Sequence, residues 1–273
     1  MKSSLIFIII YSSALILKAQ KVDTVSIYSQ AMHRYIPTVV IQPIRTKATI
    51  KLALPTVYML HGYSGNYSNW VTLVPNIKRL ANTYQCYIIC PDGGYSSWYF
   101  DSPIDSNYQY QTYICKELPN YIDAHYNTKK TAKARAITGL SMGGHGAIYA
   151  GLQYPNVYGA LGSTSGALEV NYLKTKYDVK LRLGDTATYA NNWRTHSMLA
   201  MLDTLKTNKQ AIILDCGIDD YVLPLNEMVH RKLLKYNISH DYIIRPGKHN
   251  WEYWSNAIAY QMLFFSIYFE KNN

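Results

Sequence analysis

The sequence predicts an α/β protein whose mostly parallel central sheet is covered by helices on both faces. Three observations carry this. Short apolar runs rich in β-formers, such as Thr56 to Leu60 and Cys86 to Cys90, alternate with stretches of helical spacing. The runs show no polar alternation, as strands buried on both faces require. Glycine-rich turns follow several of them, most distinctly Gly139-Leu140-Ser141-Met142-Gly143-Gly144.

The chain has 273 residues, 48% of them hydrophobic and 16% charged, a balance that excludes a disordered protein. Residues 1–19 have the outline of a secretory signal peptide: Met1-Lys2, an apolar run from Leu5 to Leu17, and the polar exit Lys18-Ala19-Gln20. Cleavage is expected after Ala19 or Gln20, with an uncleaved membrane anchor as the alternative. The leader has no cysteine to carry a lipid. Its removal takes away Lys2 and Lys18, so the formal charge falls by two, from +10 to +8. No Lys/Arg block is dense enough for nucleic acid; Lys129-Lys130 with Lys133 and Arg135 comes nearest. A basic surface suits anionic polysaccharides or simple solvation. Most of the 27 tyrosines are expected to pack their rings and keep the hydroxyl wet.

Val22 to Gln30 and Tyr35 to Gln42 alternate apolar and polar residues like two antiparallel strands. Pro43 ends the second, and Ile44 to Ala53 is a polar connection. Thr56 to Leu60 is a buried strand that empties into the loop His61 to Asn66. Trp70 to Tyr84 has helical spacing, Cys86 to Cys90 is the next strand, and Pro91-Asp92-Gly93-Gly94 stops it. An aromatic loop, Tyr95 to Asn107, precedes a helix from Tyr110 to Tyr126 with Ile114, Leu118 and Ile122 on one face. Pro119 strains that helix. Ala134 to Thr138 is a strand, Gly144 to Tyr154 a helix, and Tyr158 to Leu161 a strand. Residues 167–207 lack a clean period and read as an irregular helical insertion over the site within one domain spanning 20–273. Ala211 to Gly217 resumes the strand pattern. Asn226 to Tyr236 is a helix, His240 to Arg245 a strand, and Trp251 to Glu270 a closing helix. No internal repeat is visible.

Cys86, Cys90, Cys115 and Cys216 do not form a metal-binding pattern. Four extended residues hold Cys86 and Cys90 about 13 Å apart, too far to bridge. Buried thiols are expected, and a disulfide through Cys115 or Cys216 stays open.

The functional signal starts at Ser141. In G-x-S-x-G the serine sits on a strained turn between strand and helix, with its hydroxyl raised above the sheet. A serine nucleophile needs a base and a carboxylate to hold it, in the order serine, acid, histidine, each on a loop after a strand. Both follow: Gly217-Ile218-Asp219-Asp220-Tyr221 after one strand, and Pro246-Gly247-Lys248-His249-Asn250-Trp251 after the next. His249 is the expected base. Asp220 is the preferred acid, with Asp219 and Asp215 as alternatives. His145 lies on the helix after Ser141 and faces away from it. An oxyanion needs two N–H donors; the backbones of Met142 and Tyr63 are the candidates, and His61 is expected to brace the loop that carries Tyr63.

Together, Leu60-His61-Gly62-Tyr63, Pro91-Asp92-Gly93, the Ser141 turn, Cys216 to Asp220 and Gly247 to Trp251 resemble the esterase D / antigen 85-like branch of the α/β-hydrolases. That branch includes S-formylglutathione hydrolases, tributyrin esterases, family 1 carbohydrate esterases and mycolyltransferases. The resemblance covers Val57 to the C-terminus and implies the α/β-hydrolase fold. It implies Ser141 as nucleophile, Asp220 as acid, His249 as base, and Tyr63 and Met142 as oxyanion donors. Members often have Glu-Asp where this chain has Asp219-Asp220, and Gly-His-Asp where it has Lys248-His249-Asn250; neither change removes a catalytic atom. The loop after Gly62 lacks the Leu-Thr-Cys run of S-formylglutathione hydrolases, which with the leader argues against that cytosolic activity.

The expectation is a secreted or periplasmic serine esterase that works through an acyl-enzyme, with no metal and no organic cofactor. Its substrate is a small-molecule or polysaccharide ester, acetyl or feruloyl groups on carbohydrate being favoured, and Trp70, Trp98 and Trp251 are the candidate substrate contacts. A broad short-chain carboxylesterase, an acyltransferase to sugar and a non-catalytic surface-binding protein are the alternatives. No nucleic acid and no stable membrane insertion after leader cleavage are expected.

Overall fold

A computed structural model describes residues 20–46, 49–205 and 208–272. The leader, residues 1–19, lies outside the described residues. Eight strands form one sheet in the order β1-β2-β4-β3-β5-β6-β7-β8. They are β1 (Val22–Ser29), β2 (Arg34–Ile41), β3 (Thr56–Leu60), β4 (Tyr87–Pro91), β5 (Arg135–Gly139), β6 (Ala160–Thr164), β7 (Ala211–Gly217) and β8 (Asp241–Arg245). The β1–β2 and β2–β4 pairings are antiparallel, and every pairing from β4 through β3 to β8 is parallel. The strand order reverses around β3 and β5, the place where open α/β sheets leave a crevice at the carboxyl ends of their strands.

Alternation along β3 divides the core in two, because successive side chains leave a strand on opposite faces. Val57 and Met59 pack on one face with Trp70, Val74, Leu80 and Phe265. Tyr58 and Leu60 pack on the other with Ile114, Leu118, Ile148 and Val229. The helices that supply these residues therefore cover both faces. The first face carries α1 (Asn69–Leu73), α2 (Ile77–Thr83) and the closing helix α10 (Trp251–Asn272). The second carries α3 (Tyr110–Thr112), α4 (Leu118–His125), α5 (Met142–Gln153) and α9 (Leu223–Lys235).

Two prolines redraw expected helices. The stretch from Trp70 to Tyr84 is two helices, not one, because Pro75 disfavours helical backbone at the residue before it; Val74 is extended, with φ −116° and ψ 93°. Pro119 falls just after a change in helix type. The turn Tyr113–Glu117 widens to a π-helix, and the Leu118 N–H reaches back to the Tyr113 carbonyl. Such a bulge lets the helix continue past a ring that lacks an N–H and would crowd the preceding turn. Ile114, Leu118 and Ile122 are all fully buried on the sheet side.

Strand β6 lies at Ala160–Thr164, three residues beyond the run Tyr158 to Leu161 at its far end. Between β6 and β7 the chain forms a 3-10 turn at Val170–Tyr172 and the short helices α6 (Val179–Leu183), α7 (Ala190–Thr195) and α8 (Met198–Thr204). Glu169 organises this segment. Its buried carboxylate accepts the Asn171 N–H at 3.0 Å, the Ser197 hydroxyl at 2.8 Å and the Leu199 N–H at 3.1 Å, so a negative charge caps the start of α8. Arg182 in α6 pairs with Asp105 at 3.0 Å and lies over the Tyr108 ring, which docks the segment on the aromatic loop.

All four cysteines are buried free thiols, so neither Cys115 nor Cys216 is bridged. Among the described residues, no helix is long and apolar enough to cross a membrane.

Candidate active site

The turn after β5 is set by what lies against it. Ser141 has φ 53° and ψ −117°, a backbone that residues with a Cβ avoid. A Cβ on Gly143 would stand 2.5 Å from the carbonyl oxygens of Leu60 and His61, so the helix start can approach β3 only if this residue is glycine. The turn is pinned by the Ser141 N–H donating to the Thr164 carbonyl at 3.1 Å. Helix α5 then begins at Met142 directly beneath the serine.

The loops after β7 and β8 are joined through their backbones. Beyond the parallel pair β7–β8, the Ile218 N–H donates to the Arg245 carbonyl at 2.8 Å and the Asp219 N–H to the Gly247 carbonyl at 3.0 Å. Gly247 has φ +150°, and a Cβ there would lie 2.1 Å from the Tyr253 ring. These contacts bring His249 between two partners. Its Nδ1 is 3.0 Å from both carboxylate oxygens of Asp220, and its Nε2 is 3.0 Å from Ser141 Oγ. Asp220 is 4% exposed and also accepts the Val222 N–H at 3.0 Å, so it is held from two directions. The imidazole lies between the ring of Tyr221, 4.6 Å away, and the edge of Trp254, 4.9 Å away.

The two other acids lie elsewhere. Asp215 is fully buried and faces Arg245 at 2.7 Å, with the Tyr253 hydroxyl on its other oxygen. Burial outweighs these partners and pushes its carboxyl above the usual range. Asp219 is exposed.

His61 braces the loop after β3. Its Nδ1 lies 2.7 Å from the Gly62 carbonyl, and its Nε2 accepts the Gly93 N–H at 2.7 Å. That pattern is the neutral ring with its proton on Nδ1, and burial lowers its pKa accordingly. The loop so held presents Tyr63 to the cleft. Neither the Tyr63 nor the Met142 backbone N–H donates to another acceptor among the described residues. His145 is fully buried against Trp98, Phe100 and Tyr149, away from Ser141 Oγ.

Ser141 opens on a cavity of about 530 Å³ lined by Tyr63, Tyr177, Tyr221, His249, Trp251 and Trp254, among others. Of the three indoles expected to touch substrate, Trp251 lines this cavity. Trp70 and Trp98 do not, and the expectation for both is corrected. Trp70 is buried behind Trp251, ring edge to ring face at 5.5 Å, and its indole N–H donates to the Leu60 carbonyl. Trp98, within the aromatic loop, is buried, its indole N–H donating to the Tyr177 carbonyl at 2.8 Å. Both indoles were legible as aromatic but not as core, because neither the start of a helix nor a loop position says which way a ring turns. Trp254 shares the cavity with Trp251 because residues three apart share a helix face. Tyr177 and Tyr221 carried no such signal. Among the described residues, no cluster of His, Cys, Asp or Glu could hold a metal ion.

The family model described as "Putative esterase" matches residues 29–265. The chain belongs to this esterase family. It has the α/β-hydrolase fold and is a serine hydrolase acting on carboxylic esters. An acetyl esterase of Caldicellulosiruptor saccharolyticus is 26% identical over 218 residues, 76% of this chain and 81% of that one. The diacylglycerol acyltransferase/mycolyltransferase Ag85A of Mycobacterium leprae is 27% identical over 243 residues, 75% of this chain and 72% of that one. Among solved structures, the serine hydrolase FphF of Staphylococcus aureus superposes with a TM-score of 0.79 at 21% identity, over 90% of this chain and 98% of that one.

Proposed function

We propose that this esterase is exported and removes small acyl groups, acetyl or feruloyl, from carbohydrate through an acyl-enzyme on Ser141. One observation carries the reading: the unbroken contact from Asp220 through His249 to Ser141 Oγ, at 3.0 Å per step, on the floor of an open cleft.

In this reading His249 Nε2 takes the Ser141 proton as Oγ attacks the ester carbonyl. Asp220 holds the ring through Nδ1–H and offsets the positive charge that forms on it. The backbone N–H groups of Tyr63 and Met142 take the oxyanion, and their freedom from other acceptors favours that role. The C–O bond to the alcohol breaks as His249 returns the proton to the leaving oxygen. Water, deprotonated by the same Nε2, then attacks the acyl-enzyme and releases the acid.

Three features support the substrate class: the similarity to an acetyl esterase, the indole faces of Trp251 and Trp254 in the cleft, and the leader-like residues 1–19. Aromatic faces suit the apolar side of a sugar ring or a cinnamoyl group.

The test is an ester panel of p-nitrophenyl acetate, acetylated xylan and methyl ferulate, run on the leader-free protein beside Ser141→Ala. The variant is expected to lose at least about 10³-fold in kcat with an unchanged melting temperature. Full activity in Ser141→Ala would overturn the reading, and absence of turnover of every ester in both proteins would leave a non-catalytic binding protein. Similarity to a mycobacterial acyltransferase favours one second reading, transfer of the acyl group to a sugar hydroxyl. Product analysis with an added acceptor sugar separates transfer from hydrolysis.

A further inference from the structure

The segment between β6 and β7 reaches the cleft at a strained turn. Tyr177 and Asp178 have φ of 53° and 56°, two consecutive left-handed residues neither of which is glycine. Such a backbone persists only where its surroundings over-determine it. Three side chains from three other loops do so. The Trp98 indole N–H donates to the Tyr177 carbonyl at 2.8 Å. Tyr63 Oη donates to Asp178 Oδ2 at 3.0 Å across 115 positions of chain. Tyr177 Oη pairs with Tyr221 Oη at 3.1 Å, and it is the Tyr221 ring that lies against His249.

Asp178 immediately precedes α6 as its N-cap, where an aspartate ordinarily accepts an N–H of its own helix. Its side chain makes no such bond. The carboxylate turns to the phenol of Tyr63 instead. That phenol belongs to the residue whose backbone N–H the proposed mechanism gives to the oxyanion, in a loop with no ladder of its own; the adjacent Ser64 is also left-handed, at φ 59°. The Tyr63 ring is wedged edge-on between Tyr95 at 4.9 Å and Tyr177 at 5.3 Å. Ring and N–H share one Cα, so fixing the ring at its far end limits rotation of the peptide behind it.

We infer that Asp178 is a positioning residue: by accepting the Tyr63 phenol it holds the Tyr63 N–H on the developing oxyanion. The inference rests on the proposed acyl-enzyme reading. An N–H that is fully engaged only in the transition state acts on kcat and leaves KM nearly untouched. Asp178 touches no substrate in this account and acts through the Tyr63 phenol.

The experiment measures kcat and KM with p-nitrophenyl acetate for Asp178→Ala, Asp178→Asn, Tyr63→Phe and the double variant Tyr63→Phe/Asp178→Ala, each checked by thermal melting. Asp178→Ala and Tyr63→Phe are each expected to lower kcat about 10-fold or more, with KM within about twofold. The double variant is expected to match the slower single variant, since both remove one contact. Asp178→Asn keeps a carbonyl oxygen for the phenol and is expected to recover kcat to within about threefold of wild type. Unchanged kcat in Asp178→Ala, multiplying losses in the double variant, or an Asn variant as slow as the alanine would each overturn the inference. Tyr63→Phe deletes a single oxygen and keeps the question answerable if Asp178→Ala does not fold. Failure of the parent reading shows separately, as undiminished turnover in Ser141→Ala.

Discussion

His249 Nε2 stands 3.0 Å from Ser141 Oγ although 108 positions of chain separate them. The contact exists because two loops, after β5 and after β8, open at the same edge of the sheet. The carboxylate that completes it comes from a third loop, and identifying it means choosing among three aspartates within six residues.

Asp220→Asn tests that choice. The amide preserves the shape and the Val222 contact but cannot hold the imidazole in the right tautomer. We expect kcat to fall by about 10⁴ with little change in melting temperature. Retention of more than a tenth of the activity would point to another acid.

Arg245→Met tests the competing aspartate. It leaves Asp215 buried with only the Tyr253 hydroxyl for company. An uncompensated buried charge costs about 3–5 kcal/mol, read as a lower urea midpoint. Adding Asp215→Asn removes the charge and is expected to restore most of the loss. A double variant no better than Arg245→Met would show that the pair is not the stabilising unit.

Trp251→Ala removes an indole from the cleft wall beside Ser141. For an aryl or acetylated-sugar ester, KM is expected to rise about fivefold, the equivalent of about 1 kcal/mol, with kcat held within about twofold. An unchanged KM for every ester in the panel would remove Trp251 from the substrate contacts.

His145 makes stability pH-dependent. Burial, with a smaller push from His196, lowers its imidazole from 6.5 to about 3. Below pH 6.5 the unfolded chain therefore binds a proton that the folded chain does not. The linkage relation then makes stability rise with pH between about 3 and 6.5, by about 1.4 kcal/mol per unit for this one group. His61 and His196, also lowered by burial, add slope of the same sign. Urea midpoints at pH 7, 6 and 5 should fall in that order, with Asp215, whose carboxyl burial raises, working against the trend. His145→Leu is expected to flatten the series; an equally steep series in that variant would locate the titration elsewhere.

By itself the sequence determined the alternation of strands and helices, the order serine, acid, histidine, and the glycines of the Ser141 turn. These are local matters: buried strands are short and apolar, and a Cβ at position 143 meets backbone wherever such a turn packs on β3. Strand β7 fell where its residues said it should, from Ala211 to Gly217. Helix ends were less legible at prolines. Pro75 broke a helix that looked continuous, whereas Pro119 was absorbed by a π-turn, and the difference lies in packing.

Tertiary structure decided which aspartate faces His249, because Asp215, Asp219 and Asp220 differ in direction rather than in kind. Asp215 lies in the strand and turns to Arg245, Asp219 turns to solvent, and Asp220 alone of the three turns to the imidazole. It decided too that Trp70 and Trp98 are core while Trp251 faces the cleft. Nothing local announced that Tyr177 and Asp178 would reach Tyr63 and Tyr221, since those contacts cross 44 and 115 positions of chain. An aperiodic segment takes its conformation from what it docks on, and only the folded protein brings the two together.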